Sequence, residues 1–473
     1  WINRPESMLT QFVKSAVFVM PGLSDISKTF ADIEKFNPDV LFFFTHINWP
    51  LQYLFQAISE LRKKIPDLVL SAAADSVAKI SLEDAKQYGI DFVFRGDIEL
   101  NFEEMLRGMI SEGLRSHSEP QFLCDWGTLQ TLDEIPSPIL AGNIDLSSAE
   151  KMQIDFGRGC PNSCAYCPIG EIKPRYFSVQ RVKSEICYVL NHAPHIRKIQ
   201  LQASDIFSDE TYLILSEIRR MPLSRKIKFE SYTHSGFRHS DEKIRLADSD
   251  IFSIRIGVQS FNPKSLQAVN RRNDANESKN NILRLRRLAP HADISVELIM
   301  GLPYETEETW FDVLEWVFEE NLKLFVNHLF VPPESILANS SEGRKYEIFK
   351  DVPYFAVKTD VLSAAELTAL SAKTRKIVFV MNVIHASKAL EKAFYNFAAG
   401  FSCKFPYLTL AEKIAETLLS DKSTRKWAKE GMTRMSQHTF SAGYPVCFSR
   451  ENILGAAHVF KKVFAEAAGS WSQ

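Results

Sequence analysis

The 473-residue chain is 45% hydrophobic and 24% charged, the balance of a globular protein with core enough for two or three domains. Its net charge of −2 gives no global footprint for nucleic acid, and no apolar run approaches the ~18 residues that a bilayer span needs. Seven cysteines, odd in number and unevenly spread, argue against a secreted disulfide framework and for a reducing, cytoplasmic compartment. The chain starts at Trp1 without a signal-peptide pattern, which leaves room for residues upstream.

From the N-terminus, strand and helix alternate. Ser15–Met20 reads as a short strand, Asp25–Lys35 as a helix and Asp39–Thr45 as a nearly all-apolar strand. Leu51–Lys64 is an amphipathic helix, Leu68–Ser71 a strand and Leu82–Gln87 a helix; strand Asp91–Phe94 and helix Asn101–Ile110 follow. This is a doubly wound, Rossmann-like α/β pattern over residues 1–115, whose ligand sites lie at the carboxyl ends of the strands. Residues 116–150, with Ile135-Pro136-Ser137-Pro138, read as a linker.

A second alternation occupies 151–335. Strands fit at Lys151–Phe156, Lys198–Gln202, Lys226–Tyr232, Ile251–Val258, Asp293–Met300 and Leu322–Phe330, with helices between them. Six strand–helix units make a partial (β/α)6 version of the TIM barrel. Residues 336–473 turn helical, with amphipathic stretches at Ala364–Lys376, Ala386–Ala398, Leu410–Leu419 and Glu451–Ala468. They are expected to form a C-terminal cap over the substrate. Its aromatics Tyr395, Phe397, Phe401, Phe405 and Tyr407 read as core, with lining of a substrate mouth as the alternative.

The most specific feature is Arg158-Gly-Cys-Pro-Asn-Ser-Cys-Ala-Tyr-Cys167, a C-x3-C-x2-C array of Cys160, Cys164 and Cys167. A [4Fe–4S] cluster normally takes four Cys, so three thiolates leave one iron open to another ligand. A three-Cys zinc knuckle with a distant fourth ligand and chance burial are the rivals; no second C-x2-C pair supports the zinc reading. The array follows the first barrel strand, on the face where barrel enzymes place their chemistry. Cys124, Cys187, Cys403 and Cys447 read as packed thiols, Cys447 being the one worth checking as a cluster or substrate neighbour.

Array, barrel and preceding α/β domain together resemble the radical S-adenosylmethionine (SAM) enzymes that carry a cobalamin-binding domain, over roughly residues 15–335. Tyr166 stands just before the last Cys, as the family favours. Val296-Glu297-Leu298-Ile299-Met300-Gly301-Leu302-Pro303 resembles the strand-five motif, Ile256-Gly257-Val258-Gln259-Ser260 through Asn270-Arg271 the strand-four segment, and Gln202-Ala203-Ser204-Asp205 the end of strand two. The resemblance implies SAM contacts at Tyr166, Ser204, Asp205, Gln259, Ser260, Glu297, Gly301 and Pro303, with Asp205 and Glu297 open to the alternative of pairing with a barrel Arg. Asp91–Phe102 resembles the closing segment of the first domain, and the implied corrin neighbours are Thr45, His46, Ala73, Ala74, Ser76, Gly96 and Glu99. His46 as a cobalt ligand competes with a purely structural role. Three departures stand out: Ala73-Ala74 replaces a Gly-Gly pair, the Asp-x-His-x-x-Gly signature is missing, and the usual first strand is absent or upstream of Trp1.

The resemblance implies a [4Fe–4S] cluster, SAM and cobalamin as cofactors, and an external reductant of flavodoxin or ferredoxin type. The expected activity is C-methylation, or methylation at phosphorus, of an unactivated centre in a small molecule or peptide of secondary metabolism, through a 5′-deoxyadenosyl radical and methylcobalamin. Radical cyclisation, ring contraction or rearrangement, a cobalamin-independent enzyme with a vestigial corrin domain, and a non-catalytic zinc-binding interaction protein are the alternatives. No catalytic residue beyond the cofactor neighbours is singled out. Neither nucleic acid nor membrane is expected as a partner.

Overall fold

The computed structural model describes residues 26–469 except 45–50, 74–79, 98, 100–101, 103–119, 148, 168, 170–171, 224–225, 272, 333–334, 349–353, 401–402, 436–438 and 443–448. The expected strand Ser15–Met20, and helix Asn101–Ile110 apart from Phe102, lie outside the described residues.

The first sheet is parallel and four-stranded: β1 (Val40–Phe44), β2 (Val69–Ala73), β3 (Phe92–Gly96) and β4 (Gln121–Gly127), paired in that order. Helices Ile26–Phe36, Leu51–Lys64 and Leu82–Tyr88 alternate with the strands. The last of these starts in a capping box of Ser81 and Asp84 and stops at Gly89, whose φ of +70° a glycine tolerates without strain. Phe30, Ile58, Leu61, Leu70, Ala72 and Val93 form this sheet's own core.

One expectation changes here. Residues 121–127, which the sequence reading leaves in the linker, are β4, registered Phe92↔Gln121 through Phe94↔Leu123. The segment is a short β-former run between Pro120 and Gly127, easily masked by the polar stretches on either side. In addition, the described strand order never reverses, so it contains no topological switch point.

The second sheet matches the six expected barrel strands. β5 (Lys151–Asp155), β8 (Lys198–Gln202), β9 (Lys228–His234), β10 (Phe252–Gln259), β11 (Asp293–Met300) and β12 (Lys323–His328) run parallel and pair in chain order. Between β5 and β8 lies the two-residue hairpin β6 (Gly157–Arg158) and β7 (Arg175–Tyr176), which closes the foot of the cysteine loop. Burial alternates strictly along β5, β8 and β9. Ile154, Leu201, Phe229, Ile256, Leu298 and Val326 are buried in one large core with helices such as Val179–His192 and Glu307–Glu319. The opposite positions carry Gln153, Gln200, Tyr232, Arg255, Glu297 and Asn327, exposed or half-buried. A closed TIM barrel fills its interior with Val, Ile and Leu; this partial barrel has a polar lumen.

The C-terminal part is less of a separate cap than expected. After the small hairpin β13 (Glu347–Ile348) and β14 (Ala356–Lys358), β15 (Thr439–Ala442) pairs antiparallel with β12 as a seventh strand of the barrel sheet. Helices Ala364–His385, Lys388–Ala398, Pro406–Ser420, Arg425–Arg434 and Arg450–Gly469 share one core with the barrel. The Trp310 indole N–H donates to Thr374 Oγ1 at 3.0 Å across that seam. A four-residue strand so distant from its partner has no periodicity to read, which explains the omission. Among the described residues no helix is long and apolar enough to cross a membrane.

Candidate active site

The cysteine loop leaves β5, passes through β6 and returns through β7. It folds back tightly: Gly159 has φ +81°, and a Cβ there would stand 2.4 Å from Ile172 O and 2.6 Å from Lys173 O. Only glycine fits that approach. The Cys160 N–H donates to Ile172 O at 3.1 Å and the Cys167 N–H to Cys164 O at 2.9 Å, closing a turn that presents the thiols. The loop is also pinned from outside, since the Ala165 N–H donates to Val269 O at 3.0 Å and the Leu337 N–H to Ala165 O at 2.7 Å.

The sulfurs face donors. Asn162 N and Nδ2 approach Cys160 Sγ at 3.4 and 3.7 Å. Arg271 Nη1 lies 3.5 Å from Cys164 Sγ while its Nη2 donates to Gly257 O at 2.7 Å. The Tyr166 hydroxyl, pushed up by burial, reaches the same Arg271 and Cys164. Three thiols close in sequence, with N–H groups and a guanidinium beside two of them, are a donor set that fits an iron–sulfur cluster. Among the described residues no three His, Cys, Asp or Glu side chains converge on one single-ion position; a cluster spreads its thiolates over several irons and does not require it.

The expected SAM neighbours gather at the carboxyl ends of β8, β10 and β11, but several already have partners. Asp205 is 3% exposed and accepts from His239 Nε2 at 2.7 Å, Thr233 Oγ1 at 2.9 Å and the Phe207 N–H at 3.1 Å; His234 Nε2 lies 3.4 Å away. Burial works to raise its pKa, but the two imidazoles and the other donors outweigh it and hold the carboxyl far below the ordinary range. Asp205 thus pairs with histidines and not with the arginine the sequence suggested. Neither His234, at the end of β9, nor His239, in the segment after it, was foreseen, because isolated histidines carry no motif.

Ser260 Oγ donates to Glu305 Oε2 at 2.5 Å and accepts from the Asn262 N–H at 2.9 Å. Its hydroxyl proton is thereby committed to Glu305. Glu297 is half-buried, and burial raises its pKa against the opposing pull of Arg255; Asn327 Nδ2 donates to it. Arg255 is sandwiched in the lumen, 3.5 Å from the Phe325 ring centroid and 5.3 Å from that of Tyr232. Pro303 is buried, and Gly301, with φ +93°, has its carbonyl held by the Tyr346 hydroxyl at 3.0 Å. Ser204 sits beside the Tyr176 hydroxyl.

Gln259 is different. It is a non-glycine at φ +72°, 7% exposed, and its Oε1 is buried without a hydrogen-bond partner. It follows the register shift between β10 and β11, and a Cβ on Gly257 would meet its Nε2 at 2.9 Å. A strained backbone that aims an unused acceptor at a strand end fits a ligand with donor groups, as the amino and hydroxyl groups of SAM are.

The corrin candidates are less complete. Thr45, His46, Ala74 and Ser76 lie outside the described residues. Ala73 ends β2 opposite Phe44 and Phe94, and Gly96 ends β3, exposed, at φ +95°. Glu99 is engaged elsewhere: both its oxygens accept from Arg158, at 2.6 and 3.0 Å.

The chain is 28% identical over 180 residues to the ribosomal protein uS12 methylthiotransferase RimO of Alkaliphilus oremlandii, covering 35% of this chain and 40% of that protein. It is 22% identical over 314 residues to the tRNA-2-methylthio-N(6)-dimethylallyladenosine synthase of Clostridium tetani, covering 62% of this chain and 66% of that protein. The chain thus spans less than half of the RimO it matches. In fold it is similar to the cobalamin-dependent S-adenosylmethionine radical enzyme OxsB with aqua-cobalamin bound, at a TM-score of 0.55 and 12% identity over 94% of this chain and 74% of that one. Residues 154–317, which hold the three cysteines and strands β8 to β11, match the Radical SAM superfamily.

Proposed function

We propose that the chain is a cobalamin-dependent radical SAM methyltransferase that methylates an unactivated carbon or phosphorus centre of a polar small molecule or peptide. The observation that carries the reading is a three-thiolate loop, its sulfurs faced by N–H donors and Arg271, opening beside a polar barrel lumen. The fold likeness to OxsB over 94% of the chain supports the corrin part.

When bound, the cluster and SAM supply a carbon-centred radical and the corrin supplies the methyl group. The residues of the chain hold and exclude. Cys160, Cys164 and Cys167 hold the cluster; Gln259 Oε1, the Ser260 backbone and the Gly301 turn hold SAM; and Arg255, Glu297 and Asn327 orient a polar substrate in the lumen. The barrel wall, continuous with the C-terminal helices, keeps water from the reacting centre.

A second reading is methylthio transfer, favoured by the names of the curated relatives. It requires a sulfur donor as well as a methyl group. Outside the array the sequence offers Cys124, Cys187, Cys403 and Cys447.

Anaerobic reconstitution followed by iron, cobalt and 5′-deoxyadenosine assays tests the proposal. Wild type should bind iron and cobalt and cleave SAM, and Cys164→Ala should do neither iron binding nor cleavage. Full activity in Cys164→Ala would refute the cluster site; absence of cobalt under saturating hydroxocobalamin would refute the corrin. The mass gain of the product, one methyl against methyl plus sulfur, separates the two readings.

A further inference from the structure

We propose that Arg158 and Arg175 are positioning residues for the cysteine loop, latched by the carboxylates Asp97 and Glu99 that follow the third strand of the first sheet. Arg158 stands two residues before Cys160, at one foot of the loop; Arg175 is its register partner at the other foot. Arg158 Nη1 is 2.5 Å from Asp97 Oδ1, and its Nη2 is 2.6 Å from Glu99 Oε1. Arg175 pairs with the second oxygen of Asp97 and donates to Leu129 O at 2.7 Å, while the Leu129 N–H donates to Asp97 Oδ2 at 2.7 Å.

One carboxylate therefore holds both feet of the hairpin, and a second doubles the grip on the foot nearer the cysteines. The side chains of Asp97, Glu99 and Arg175 are only 5%, 11% and 13% exposed, so water does not substitute for lost partners. Two cations meet two anions, and removing one strands a buried charge. The geometry downstream depends on the feet staying together: Gly159 can pass against Ile172 and Lys173 only while β6 and β7 remain paired. The same engagement accounts for Glu99, whose oxygens are taken up by Arg158 and leave a corrin to the backbone at Gly96. The first domain thus sets the shape of the cluster loop from outside the barrel.

The proposal rests on the reading of the three cysteines as cluster ligands. Iron bound by wild type tests that reading; the difference between wild type and latch variants tests the latch. Arg158→Gln, Arg158→Lys and Glu99→Gln are compared by iron retained after gel filtration, by the EPR spectrum of the reduced cluster, and by the alkylation rate of the three thiols in the cluster-free protein. Arg158→Gln should lose iron, shift the EPR signal and alkylate several-fold faster, with Arg158→Lys, which keeps the charge and loses the fork, falling between it and wild type. Urea unfolding shows whether each variant folds; if Arg158→Gln does not, Glu99→Gln, which leaves Asp97 in place, carries the same three measurements. Wild-type iron, EPR signal and thiol protection in a folded Arg158→Gln or Glu99→Gln, even with lowered thermal stability, would overturn the proposal.

Discussion

The two parallel sheets use the polar residues at their strand ends for different purposes. In the barrel, three of the strand ends carry groups still open to a ligand: Ser204 beside Tyr176 after β8, Gln259 with an unused oxygen on β10, and Gly301 at a positive φ after β11. In the first sheet, the described carboxylates beyond β3 turn away from any ligand of their own and bind the arginines under the cysteine loop. A carboxylate at the end of a parallel strand is thus equally a ligand contact or a strut for the neighbouring domain. What decides is whether its oxygens already have buried cationic partners.

The sharpest way to break the comparison is to destabilise one sheet and watch the other. The two cores share no residue. Trp310 is fully buried at the seam between barrel and C-terminal helices, and Trp310→Ala should cost about 3–5 kcal/mol. In denaturant unfolding followed by hydrogen exchange, its effect should fall on the barrel and C-terminal helices together. Leu61→Ala, in the first sheet's core, should cost ~2–4 kcal/mol and leave barrel exchange unchanged. If Trp310→Ala loosened the barrel alone, the C-terminal helices would be a separate domain after all.

Next in size is Gly159→Ala. The positive φ and the approach to two carbonyls should together cost roughly 3 kcal/mol. Because the strain sits inside the cysteine loop, iron binding should fail even where the far-ultraviolet spectrum of the fold is retained. Normal iron loading would show that the loop relaxes more easily than its close packing implies.

Legibility of these features in the sequence followed the range of the signal. The six barrel strands, five to eight residues long, interleave apolar with polar residues and were found to within a few residues. The thiols sit within one eight-residue span, so spacing alone announced them. β4 and β15 were missed, since seven and four residues between polar segments leave no period to count. The partners of Asp205 were missed for another reason: His234 and His239 reach it from about thirty residues away, and only the pairing of β8 with β9 brings them together. The latch has the same character, with Asp97 and Arg175 separated by 78 positions.

Asp205→Asn tests whether that carboxylate is a strut or a ligand contact. Its folded pKa lies below the unfolded value of ~3.9. Its contribution is therefore fully present above about pH 4 and is lost as pH falls through the folded pKa. The variant should lose ~2 kcal/mol at pH 7 and show a flatter acid limb in urea midpoints between pH 5 and 3. An unchanged midpoint at pH 7 would return Asp205 to the list of free ligand contacts.

The smallest effect has the opposite sign. Glu305 is 1% exposed, holds Ser260 with one oxygen and has no partner for the other. Burial raises its folded pKa above the unfolded value, despite help from neighbouring hydroxyls. For a raised pKa, stability is fully present below the unfolded value of ~4.3 and is lost as pH rises through the folded pKa. Glu305→Gln removes that loss at neutral pH, but its amide introduces a donor beside the same empty position, so the net gain should be only about 1 kcal/mol. The measurement is the difference in urea midpoint between pH 5 and pH 8, which the variant should shrink. If the wild-type difference persisted in Glu305→Gln, the barrel's pH dependence would have to come from another buried acid, with Glu297, half-buried beside Arg255, as the group to replace next.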